Sequence, residues 1–104
     1  LKEVLMLNEA GYQAKLIKKL KQRFPGCHVV KNNPAHTQGI PDLLILIENQ
    51  WGMLEIKMSE TSPRQPNQEH YVQQFDNMGY ASFISPDSED RVLDELALAL
   101  GLKL

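Results

Sequence analysis

Asp42, Glu55 and Lys57 are spaced so that a strand hairpin would bring two carboxylates and an ammonium group to one point. Side chains alternate across a strand, so Trp51, Met53, Glu55 and Lys57 share one face while Leu54 and Ile56 point to the other. A carboxylate and an ammonium inside an apolar strand incur a desolvation cost unless they pair, bind a metal or face a wet cleft. Asp42 heads the preceding strand, directly after the Gly39-Ile40-Pro41 turn, and hairpin pairing would set its carboxylate against Glu55. Two converging carboxylates repel unless a cation joins them. Hard oxygen donors without a Cys or His cluster favour Mg2+ or Mn2+.

The elements that must position these groups are legible in the spacing of apolar residues. From Asn8 to Phe24, Leu16, Ile17, Leu20 and Phe24 recur with helical period, while Lys15, Lys18, Lys19, Lys21 and Arg23 fill the rest. Asn8 is the expected N-cap, Glu9 sits at the positive end of the helix dipole, and Pro25-Gly26 is the stop. Cys27 to Lys31 reads as a short strand, followed by a loop of turn formers through Asn32, Asn33, Pro34, Gly39 and Pro41. The run Asp42 to Glu48 is expected to be a central strand buried on both faces. Asn49-Gln50 is the expected turn into an antiparallel strand over Trp51 to Lys57. A polar connection from Ser59 leads to a helix from Pro66 to about Met78, with Tyr71, Val72, Phe75 and Met78 inward and Gly79 as its end. Tyr80 to Ile84 is a further strand, and Ser85, Asp87 or Ser88 caps a final leucine-rich helix that stops at Gly101. The order αβββαβα predicts an α/β fold, a mixed sheet flanked by helices.

A chain of 104 residues is expected to be one domain. With 42% hydrophobic and 23% charged residues, it lies outside the composition of disordered chains. No apolar run of about 18 residues and no export signal are legible, so neither a membrane span nor secretion is expected. Cys27 is the single cysteine, which excludes an internal disulfide, and His28 and His70 have no ligand spacing with it for zinc. A reducing, cytoplasmic setting is the expectation. The net charge of −2 is not that of a typical nucleic-acid binder, so any DNA affinity must come from a local patch or a bound cation.

Gly39-Ile40-Pro41-Asp42, the apolar strand Leu43 to Ile47, and Glu55-Ile56-Lys57 together resemble the PD-(D/E)XK nuclease signature, and the αβββαβ order resembles that superfamily's restriction-endonuclease-like core. Within it the chain is similar, from about Glu9 to Leu96, to the small stand-alone VRR-NUC proteins of phages and bacteria, whose relatives include Holliday-junction resolvases. The resemblance implies a Mg2+- or Mn2+-dependent endonuclease acting on branched or junction DNA, in a bacterial cell or phage-infected host. It implies Asp42 and Glu55 as metal ligands, with the backbone carbonyl of Ile56 as a further one. It gives Lys57 the role of orienting or deprotonating the attacking water, or of stabilising charge on the phosphate. Glu9 resembles the family's first-helix acidic residue, with Gln13 and Glu3 as alternatives. Gln68 resembles the glutamine of the following helix, and Gln68-Glu69-His70-Tyr71 resembles the Q-x-x-Y arrangement of related nucleases.

Further expectations concern DNA contacts and assembly. The row Lys15, Lys18, Lys19 is a phosphate track if it faces the cleft and solvated surface otherwise, and Lys31 and His36 are further candidate DNA contacts. Cutting a symmetric junction on paired strands needs two sites, which predicts a homodimer through Trp51 and the hairpin edge or through the final helix. A non-catalytic DNA- or protein-binding module of the same fold is the alternative. An enzyme of small phosphoesters would call for a Gly-rich phosphate cradle, which the sequence lacks.

Overall fold

The computed structural model describes residues 8–102. Among them are three helices and a four-stranded mixed sheet: α1 (Glu9–Arg23), β1 (His28–Lys31), β2 (Leu43–Ile47), β3 (Gln50–Ile56), α2 (Pro66–Met78), β4 (Ala81–Ile84) and α3 (Glu89–Ala99). The strands lie in the order β1-β2-β3-β4. β1 and β3 both run antiparallel to β2, whereas β4 is parallel to β3 because α2 carries the chain back between them.

One face of the sheet holds the main core. Asn8 caps α1 by accepting from the Gly11 N–H at 2.6 Å, and the helix lays Tyr12, Leu16, Leu20 and then Phe24 onto the sheet. These side chains meet Leu43 and Ile45 of β2, Leu54 and Ile56 of β3, Ile84 of β4, and Val92, Leu93 and Leu96 of α3. The buried Glu89 carboxylate ties the two helices together, accepting from the Tyr12 hydroxyl at 2.9 Å and pairing with Lys19 at 2.6 Å, while Arg23 pairs with Asp94.

The opposite face carries the even-numbered residues of β2 and the odd-numbered residues of β3, including Glu55. α2 covers it only over β3 and β4, where Val72 is buried and Phe75 meets Trp51 edge-on with ring centroids 6.3 Å apart. β2 is therefore not buried on both faces as its composition suggested. Leu44 is half-buried, its partner Val30 on β1 is 42% exposed and Leu46 is 37% exposed, because none of the described helices reaches that half of the sheet.

Three further expectations change. The hairpin turns at Glu48-Asn49 rather than Asn49-Gln50, with Glu48 in the left-handed region at φ 53°, so β3 begins one residue earlier. The final helix, expected as a candidate dimer surface, packs its leucines internally: Leu93, Leu96 and Leu100 enter the chain's own core and of its leucines only Leu98 is exposed. Met78 lies at the solvent rather than in the core. No helix among the described residues is long and apolar enough to cross a membrane.

Candidate active site

The loop from Asn32 to Asp42 is pinned at both ends. Asn32 donates its backbone N–H to the Asp42 carbonyl at 2.9 Å and its side-chain amide to the Pro41 carbonyl at 2.8 Å, fixing the peptide that presents the Asp42 carboxylate. Gly39 sits at φ 90°, and a Cβ there would come within 2.8–2.9 Å of Asn67, so glycine is what lets the loop press against the first turn of α2.

Asp42 Oδ2 accepts the Ile56 N–H at 2.8 Å, one position beyond the last pair of the β2–β3 ladder. This bond aligns Asp42 with Glu55 on the face covered by α2. It also orients Ile56: within a strand the N–H and C=O of one residue point to the same side, so the Ile56 carbonyl is aimed toward the Asp42 side. Glu55 is only 3% exposed although it stands at the rim of the sheet.

Gln68 organises the other half of the site. Its Nε2 donates to Glu55 Oε2 at 3.1 Å, and its Oε1 accepts from Lys57 Nζ at 2.8 Å and from the Gln65 N–H at 3.0 Å. Two donors converge on one end of the amide and a carboxylate sits at the other, so the reversed amide would set its NH2 against both donors. The same side chain caps α2 and connects the acid to the ammonium.

Burial and mutual repulsion set the electrostatics of this cluster. Burial pushes the Glu55 carboxyl up to about 8, the nearby Asp42 and Glu9 carboxylates add to the rise, and Lys57 and the Asp42 N–H pull against it. Burial also raises Asp42, with the Ile56 N–H, Glu55 and Lys57 opposing. Near neutral pH the metal-free pair therefore retains a proton, which a divalent ion would replace. Among the described residues no group of three or more His, Cys, Asp or Glu side chains is set to hold a metal. The residues that could hold a hard ion here are two carboxylates, Asp42 and Glu55, with the Ile56 carbonyl beside them.

The structure thus brings together Asp42, Glu55, Ile56, Lys57 and Gln68, with Glu9 near enough to act on Glu55. Glu3 falls outside the described residues. Tyr71 stacks on Phe75 and meets His70 edge-on. Lys15 and Lys18 are exposed on α1, which packs against the opposite face of the sheet from the carboxylates, and Lys19 is engaged by Glu89. Lys31 and His36 are exposed along β1 and the following loop. Asn32 reads in the sequence as a turn former, yet it fixes the Pro41-Asp42 peptide; its place directly between β1 and the loop is the signal for that role. No family model, curated protein or solved structure matches the chain.

Proposed function

We propose that the chain is a metal-dependent DNA endonuclease of PD-(D/E)XK type, a small VRR-NUC-like enzyme acting on branched or junction DNA in phage or bacterial replication, recombination or repair. One observation carries this reading: the buried Glu55 and half-buried Asp42 carboxylates, both with raised proton affinity, stand beside an ammonium that Gln68 links to Glu55. A purely structural ion pair would need neither the second carboxylate nor the rim position.

Asp42, Glu55 and the Ile56 carbonyl would bind the cation. When bound, a divalent ion supplies Lewis-acid chemistry, polarising the phosphate and making water nucleophilic at neutral pH. Lys57 Nζ, held by Gln68, orients the attacking water and offsets charge developing on the phosphate. Glu9, at the start of α1, raises the proton affinity of Glu55 and would be the acceptor for a water proton. The product is a hydrolysed phosphodiester, with no covalent intermediate.

A junction cut on two strands requires two such sites, so we read the working form as a homodimer, with the open sheet face of Val30, Leu44 and Leu46 covered by a second copy. A Mg2+ and Mn2+ cleavage assay on supercoiled plasmid, linear duplex and a four-way junction tests the function. Preferential cutting of the junction supports the full reading. Metal-dependent nicking of every substrate retains the nuclease but not the branch preference, and binding without cleavage favours the non-catalytic module.

A further inference from the structure

A narrow cleft of about 20 Å3 opens beside the candidate active site, with Lys57 in one wall and Ser59, Glu60, Arg64, Phe83 and Arg91 among the rest of its lining. The three described arginines differ in their surroundings. Arg23 pairs with Asp94, and Arg91 pairs with both Glu60 and Glu95. Arg64 instead lies over the Phe83 ring, 3.9 Å from its centroid, and is exposed to solvent. A guanidinium on an aromatic face is held flat, with its N–H edges left for a planar or tetrahedral oxyanion. Glu60 is paired with Arg91, and Asp87 at the edge of the cleft is engaged by the Glu60 N–H and the Ser85 hydroxyl, which leaves Arg64 as a cation of this lining with no carboxylate partner among the described residues.

The sheet fixes where Arg64 stands relative to the carboxylates. Phe83 pairs with Glu55 in the β3–β4 ladder, and Glu55 is aligned with Asp42, so the order across the rim is Asp42, Glu55, Phe83 with Arg64 on it. Phe83 is one strand spacing from Glu55, about 4.8 Å. The phosphate repeat of a DNA strand is longer than one strand spacing but within reach of an extended arginine, so a backbone crossing the strands with its scissile phosphate at Asp42 and Glu55 would bring the neighbouring phosphate toward Arg64. Ser59, whose hydroxyl is in hydrogen-bonding contact with those of Thr61 and Ser62, offers a neutral polar rim.

We propose that Arg64, held on Phe83, binds the backbone phosphate next to the scissile one. The proposal rests on the nuclease reading and assigns its substrate a second point of attachment. The role is binding rather than chemistry, so it belongs in KM and Kd, not in kcat.

The test measures binding of labelled duplex in Ca2+, together with cleavage in Mg2+, for the intact chain, Arg64→Ala and Arg64→Lys. Arg64→Ala should weaken binding about tenfold and lower the slope of log Kd against log salt by about one, with kcat at saturating DNA unchanged. Arg64→Lys keeps the charge and should keep the slope. A series of duplexes, each with one uncharged methylphosphonate linkage, should then contain one position, adjacent to the cut, where neutralisation weakens the intact chain but not Arg64→Ala. If Arg64→Ala binds and cuts as the intact chain does, or if every methylphosphonate position weakens both proteins equally, the phosphate site is wrong and the nuclease reading stands. If the intact chain neither binds nor cuts DNA, both are overturned.

Discussion

Raising the pH on the metal-free chain should weaken its fold, and adding Mg2+ or Mn2+ should reverse that trend. Glu55 is the origin: its carboxyl is pushed from 4.5 up to about 8 by burial, Asp42 and Glu9. A folded-state value above the unfolded one means that the stability is fully present below about 4.5 and is lost as pH rises through about 8. Asp42 is shifted in the same direction. At about 1.4 kcal/mol per pH unit, the Glu55 shift alone sets a ceiling of about 5 kcal/mol. The two carboxylates hold their proton as a pair, so about half of that ceiling, roughly 2 kcal/mol, is the expected loss between about pH 5 and pH 9. For a chain of this size such a loss lowers Tm by roughly 10 °C. Melting curves in chelator across that range measure it. Glu55→Gln, the neutral isostere of the protonated acid, should flatten most of the dependence. With a divalent ion present the ionised pair is the bound form, so the ion's stabilising effect should grow with pH and its binding should release protons. A metal-free Tm that stays level over this range, or a Glu55→Gln chain with the intact chain's slope, would refute the description of the pair.

The remaining expectations concern the supports of the site and the surface around it. Gly39→Ala must adopt φ 90° with its Cβ 2.8–2.9 Å from Asn67, so it should cost about 1–3 kcal/mol by denaturant titration and weaken metal binding by displacing the loop that carries Asp42. Gln68→Leu removes the bonds to both Glu55 and Lys57, and should lower kcat at least tenfold while divalent-ion affinity by calorimetry changes far less. Val30→Lys with Leu46→Lys should convert a dimer to monomers in light scattering at about micromolar concentration, leaving each monomer's Tm nearly unchanged because both residues are already exposed; an unaltered mass would remove this face as the dimer surface.

What the sequence made legible is what period and adjacency encode. The helical recurrence of Leu16, Leu20 and Phe24 and the alternation that separates Glu55 and Lys57 from Leu54 and Ile56 both appear in the structure with the expected partners. The meeting of Asp42 with Glu55 was legible because hairpin strands pair in register. The open half of the second face was not. A continuous run such as Leu43 to Ile47 reads the same whether one or both of its faces are covered, and only the docking of α2 over β3 and β4 decides it. The neutralisation of Lys19 and Arg23 was hidden for another reason, since their partners Glu89 and Asp94 lie some 70 residues away. Gln68 could be read as a helix residue, but its bonds to Glu55 and Lys57 exist only once α2 lies against β3.

Cleavage of supercoiled plasmid by the intact chain and by Asp42→Asn, Glu55→Gln and Lys57→Ala, with divalent-ion affinity measured on the same samples, tests the central claim most directly. The intact chain should cut only with Mg2+ or Mn2+ present, and all three variants should be inactive. Asp42→Asn and Glu55→Gln should also lose ion binding, whereas Lys57→Ala should retain it, because the ammonium acts on the reacting groups rather than on the ion. Cleavage that persists in chelator, or Lys57→Ala cutting at the intact chain's rate, would contradict the assignment.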